Sequence, residues 1–217
     1  MGPIPSLNFD PMKPFSVPLA GAWVALCGAF VYASTAAAGA SEAATRTLLS
    51  QLALVHVGLV LGVSFTESWV KLRAPLLERH VGLDVGRHVF SALNVVELVV
   101  SATSVLALAS RDLLVAPQRG RPHPLAVAPV ATLAVVLLQA LVLAPALERR
   151  AFFVIADKLK DKRHATRAEE ELYKELKAKT ALTTPPGMWV HHVYVLLELA
   201  KVVGLAYFAV SSSASAP

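Results

Sequence analysis

The chain has 217 residues, 55% of them hydrophobic and only 16% charged, with a mean hydropathy of +0.57. Soluble domains average about 45–50% apolar residues, glycine included, and about 25% charged ones, so this composition excludes an ordinary soluble domain and excludes disorder. The single cysteine, Cys27, leaves no intrachain disulfide or thiolate metal site, and the net charge of +5 points to nucleic acid only if topology does not account for it.

Gaps between charged residues define the elements. Residues 1–16 form a proline-rich N-terminal segment with one Lys, one Asp and four prolines. Residues 17–40 hold an uncharged stretch, 18–38, long enough for an extra transmembrane helix. A cleaved signal peptide is the competing reading, opposed by the poor basic flank and the length of the apolar run. Gly21 and Ala25 give this helix a small-xxx-small face.

Four further spans follow within residues 47–210. The second apolar gap, 47–66, is interrupted only by His56, and it carries Gly58 and Gly62 as a GxxxG pair. Residues 89–110 contain the single charge Glu97, with Asn94 one turn before it. Residues 122–147 contain none, and Pro75 and Pro145 are expected to end their helices near the membrane surface. Residues 189–210 carry Glu198 and Lys201, with His191 at the start, and residues 211–217 are expected to form a flexible tail. Each gap is about the 20 residues that cover a ~30 Å hydrocarbon core. The expected fold is therefore all-α: an integral membrane bundle with a four-helix core plus one extra N-terminal transmembrane helix.

Between the last two spans lies a charged arm, 148–182, with ten basic and seven acidic residues. Phe152, Ile155 and Leu159, then Ala165, Ala168, Leu172 and Leu176, recur at helical spacing. Thr166 and Glu169 fit a capping box, so a new helix should start there after a break near His164. Glu170 with Lys174, and Glu175 with Lys179, are supporting pairs one turn apart. The segment TTPPG, 183–187, stops the helix. A solvated helical hairpin is one reading of the arm, and a docking surface for a partner subunit or an anionic membrane is the other.

Basic residues set the orientation. The face holding the N-terminus and the 148–186 connection, called side A, collects 15 Lys and Arg residues, against 4 on the opposite face, side B. Side A is then the positive-inside face, and the basic pI is topological, so no nucleic-acid partner is expected. The bilayer and other membrane subunits are the partners expected.

Charged groups inside a bilayer cost roughly 2.5–3.5 kcal/mol each on insertion scales and face partners or cavities. The candidates are His56, Glu67, Asn94, Glu97, His191, Glu198 and Lys201. At 100° per residue His56 and Glu67 share a face, as do His191 and Glu198. Counted from side A, Glu67, Asn94, Glu97, His191 and Glu198 belong to one half-cavity. Lys201 is the counter-ion for Glu198 or Glu97, and His56 lies deeper. Such a set serves as polar glue between helices, or as a proton, ion or solute pathway. Haem is disfavoured because His56 and His191 differ in depth by roughly 20 Å. No nucleophile, HExxH or phosphate-loop motif appears. No enzymatic activity, metal or cofactor is expected, and a bound lipid is compatible with the apolar spans.

The last four spans resemble the transmembrane protein 205-like family of small four-helix membrane proteins, over about residues 47–210. His56 and Trp69, thirteen residues apart in VHVGLVLGVSFTESWV, match the family's His-led first helix. Arg79-His80 leading through Gly82, Leu83 and Val85 to Phe90 is similar to its second-helix entry stretch, and Leu143, Pro145 and Arg149 to its L-x-P-R-like element. In the last helix His191 matches, whereas His192, Tyr194 and Glu198 stand where relatives have glycine, serine and asparagine. The resemblance implies a four-helix membrane fold and no established reaction or cofactor. The function expected is a non-enzymatic accessory or structural subunit of a larger membrane complex, in an organellar (mitochondrial) inner membrane. The alternative is a small proton, ion or solute transporter using Glu67, Glu97, His191 and Glu198.

Overall fold

The structure, a computed structural model, describes residues 41–111, 113, 123–162 and 165–214. The extra helix expected over 17–40, with Gly21, Ala25 and Cys27, and the proline-rich segment 1–16 lie outside the described residues.

Helix α1 starts at Glu42, where Ser41 Oγ accepts the Ala44 N–H at 3.3 Å. It runs as an α-helix over Glu42–Val60, as a π-helix over Leu61–Glu67, and as an α-helix again over Ser68–Arg73. Pro75 follows its end, because the residue before a proline is driven out of the α region: Ala74 is extended, with ψ 112°. After this short turn α2 covers Arg79–Ala109. Helix α3 begins at Pro124, capped by His123 Nδ1 on the Leu125 N–H. It passes through a second π-helical stretch, Gln139–Leu143, and continues unbroken over Ala144–Lys160. Helix α4 spans Arg167–Thr180 and α5 spans Trp189–Ala214. No strand occurs among the described residues.

Four helices, Glu42–Lys71, Arg79–Ala109, Pro124–Lys160 and Trp189–Ser212, are long and apolar enough to cross a bilayer. The chain is thus a multi-pass integral membrane protein built as an antiparallel bundle, α1–α2–α3–α5, in which α5 closes the ring by packing along α1. Large apolar residues exposed on the spans, among them Leu54, Val55, Leu141, Leu196 and Val203, face the lipid. Trp69 and Trp189 are exposed near the side-A ends of α1 and α5, and Tyr207 is exposed eighteen residues beyond Trp189. At 1.5 Å per residue these aromatics bracket about 27 Å, close to the ~30 Å hydrocarbon thickness.

Pro145 does not end its helix as expected. It sits in the first turn of the α-helical stretch after the π-helix, where no regular i→i−4 bond depends on its missing N–H. The span and the first half of the charged arm are consequently one rod. The arm's second half folds back as α4, with the expected capping box intact: Glu169 N–H donates to Thr166 Oγ1 at 3.3 Å and Thr166 N–H to Glu169 Oε2 at 2.8 Å. Lys179 pairs with Glu175 as expected. Phe152, Ile155, Leu159 and Leu176 bury against one another and against Leu83 of α2. The arm is therefore docked on the bundle rather than loose. Lys162 bonds Glu78 at 3.1 Å and Glu169 at 2.7 Å, tying the α2 start to both halves of the hairpin.

Close helix approach uses a different glycine pair from the one singled out in the sequence. Among the described residues nothing lies within 4 Å of a side chain placed at Gly58 or Gly62, so they form an open notch on α1. Gly82 and Gly86 of α2 instead make room for Leu77 and Lys71; a Cβ at Gly86 would come 2.8 Å from Lys71 Nζ.

A closed polar cluster between the spans

All four spans send polar side chains to one place. From α1 comes His56, whose Nε2–H donates to Glu97 Oε1 of α2 at 2.8 Å. Lys201 of α5 donates to the same Glu97 oxygen and to Glu198 Oε1 at 3.0 Å. Gln139 of α3 donates to Glu198 Oε1 at 2.8 Å, and Ser64 of α1 donates to Glu198 Oε2 at 3.3 Å. One turn toward side A, Tyr194 O–H donates to Asn94 Oδ1 at 3.0 Å. His56, Glu97, Gln139, Glu198 and Lys201 are each at most 3% exposed.

The helices explain why these groups meet. Glu198 and Lys201 are one turn apart on α5, so a single ammonium reaches both its own helix's carboxylate and that of α2. The two π-helical stretches both adjoin Glu198, one supplying Ser64 and the other beginning at Gln139. A π-turn inserts about one residue into the α register and rotates the downstream residues by roughly 100°. That rotation takes Glu67 off the face it would share with His56. Glu67 bonds Lys71 at 3.1 Å instead, with its side chain 31% exposed.

Of the seven residues singled out, the structure brings together His56, Glu97, Glu198 and Lys201, with Asn94 adjoining through Tyr194. Glu67 and His191 stand apart. His191 is exposed at the start of α5, its ring 6.2 Å from that of His192. His56 is level with Glu97 rather than deeper. It lies seventeen residues before Arg73 and Glu97 eighteen after Arg79, nearly equal distances from the α1–α2 turn. Counting α2 from the start of its apolar gap, rather than from the turn, separates them falsely. Gln139, Ser64 and Tyr194 were missed. The signal for Gln139 was present, as the one amide in an otherwise apolar span.

Among the described residues no set of three His, Cys, Asp or Glu side chains converges as metal ligands. Ser101 Oγ, Thr103 Oγ1, Glu97 Oε2 and Gln139 Oε1 are buried without a hydrogen-bond partner among the described residues. On the side-B flank of the cluster is a cavity with about 10 Å³ of room for the centre of a water molecule. His56, Ser101, Ser104 and Thr132 give it polar walls, and Leu49 and Phe208 lie at its far end. Pro129 also lines it and removes one helical N–H from that wall of α3. No protein-family model, curated protein or solved structure matches the chain.

Proposed function

We propose that this chain is a non-enzymatic, accessory or structural subunit of a larger membrane complex, a relative of the transmembrane protein 205-like family. The observation that carries this reading is that the buried polar groups pair across all four spans: Glu97 with His56 and Lys201, and Glu198 with Lys201, Gln139 and Ser64. Such a cluster fixes the register of four helices. The outer surface offers features that suit a second protein, namely the Gly58–Gly62 notch and a docked, charged arm on the basic face. Fifteen of the twenty Lys and Arg residues fall on side A, which supports placing the arm in the cytoplasm or, for an organellar inner membrane, in the matrix.

Purification of the full chain in a mild detergent tests the reading. Stoichiometric membrane companions are expected, and Gly58→Leu with Gly62→Leu should release them while the bundle stays folded. A lone monomer that conducts ions or solute in liposomes, and loses that flux with Glu97→Gln, would sink it. The transporter is the second reading, favoured by the cavity beside His56.

A further inference from the structure

The cluster's charges do not balance as drawn from its side chains alone. Glu97 and Glu198 bring two negative charges and Lys201 one positive charge, so with His56 neutral the buried group carries one surplus negative charge. A net charge held at this burial is strongly disfavoured, and one further proton removes it. The Lys201 ammonium already occupies the place between the two carboxylates.

The cavity shows where such a proton could come from. Its volume suits one water, and a buried water needs two to four polar partners. His56, Ser101, Ser104 and Thr132 line it, and Ser101 Oγ, on a residue 2% exposed, has no partner among the described residues. The walls run along α1 from His56 to Leu49 and along α5 from Leu205 to Phe208, toward side B. Lys201 is six residues from the exposed Tyr207 but twelve from the exposed Trp189. The cluster is thus about 9 Å from the side-B aromatic and about 18 Å from the side-A one. On the side-A flank the Ser64 hydroxyl, the Gln139 amide N–H, the Tyr194 phenol and Asn94 Oδ1 are engaged in hydrogen bonds.

We infer that the His56–Glu97–Lys201–Glu198 cluster is a binding site for one exchangeable proton, supplied from side B through a water seated in the cavity beside His56. The proton passes from the cavity water to the imidazole, the water is re-supplied with a proton from bulk, and the cluster goes from one negative charge to none. Release reverses the step. The groups facing His56 are Glu97 from α2 and Glu198 and Lys201 from α5, with the Tyr194 phenol beyond them; α3 presents Gln139 and Thr132, neither titratable. This inference stands whether or not the chain has protein partners.

The test uses the full chain, labelled with 15N-histidine and reconstituted in one orientation in liposomes. The His56 signal is identified by its loss in His56→Gln or, should that variant not assemble, by its contact with a 13C-labelled Glu97 carboxyl. As the side-B bath is taken across about pH 4–9, this signal should change between the neutral and protonated imidazole forms. The same change applied on side A alone should leave it unmoved. A signal that stays fixed while the protein remains folded, or one that follows side A, overturns the inference. Ser104→Leu fills the cavity without touching a charge. It should slow exchange of the His56 ring proton by about tenfold or more, because access then requires local opening. An unchanged rate refutes the route through the cavity.

Discussion

Lys201 shows most directly what the burial of charge demands. It bridges two carboxylates, each at most 1% exposed, so removing it leaves both without their cation. Lys201→Met should destabilise the folded bundle by about 3–5 kcal/mol, read from unfolding in a mixed detergent system. The triple variant Glu97→Gln, Glu198→Gln, Lys201→Met should recover most of that loss, since the uncompensated charges leave together. If the single variant unfolds like the native chain, the ammonium is not what holds the carboxylates. The identities of these charged groups were legible in the sequence, because an ionisable residue inside an apolar span needs a partner. Their pairing was less so. Ser64, Gln139 and Tyr194 are ordinary neutral residues, and only the geometry shows that two of them complete the shell of Glu198.

Elements were legible where local chemistry decides and obscure where register does. The capping box of α4 and the apolar stripe through Phe152, Ile155 and Leu159 were visible as patterns of four and eight residues. The π-helical stretches were not, since nothing in LGVSFTE or QALVL distinguishes them from α-helix. Yet they decide that Ser64 faces Glu198 and that Glu67 does not. Outside the membrane the α2–α3–α4 junction makes a pH-dependent prediction. The Lys162 ammonium, and then the Thr166 N–H, hold the Glu169 carboxyl down to about 2 from its ordinary 4.5. A lowered carboxyl contributes stability that is complete above its ordinary value and lost as pH falls from there toward about 2. Hydrogen bonds to Glu169 and Glu78 raise Lys162, so its contribution is complete below 10.5 and lost as pH rises past its raised value. The protection of the 167–180 amides, as exchange relative to the unfolded-chain rate at each pH, should therefore stay high between these limits and fall below about pH 4, with the spans unaffected. Lys162→Met should raise the exchange rate at neutral pH and flatten the acid dependence.

For the molecule as a whole, the distribution of charge makes a claim about sidedness. With Cys27 replaced by serine, Thr183→Cys and Glu42→Cys place single thiols at exposed positions on opposite faces. An impermeant maleimide applied to sealed cells or organelles should label Glu42→Cys and spare Thr183→Cys until the membrane is opened. The reverse pattern would contradict the orientation drawn from the basic residues. Four of the five expected spans fall on described residues, and all four are helices longer than the apolar gaps that announced them. The helices continue past the hydrocarbon edge, where charged side chains such as Arg87 and Glu148 pair at 3.4 Å between α2 and α3. Hydropathy marks the part of a helix that lipid covers, and it is silent about the rest.

That overhang gives α3 a mechanical character. From Gln139, whose amide bonds Glu198 inside the membrane, the helix runs unbroken to Lys160 at the tip of the arm, roughly 31 Å away. It is a lever pivoting at Gln139: a tilt of about 5° there would carry Lys160 through about 3 Å. A rearrangement too small to open the bundle would thus register outside it, at the surface where a second protein could feel the displacement.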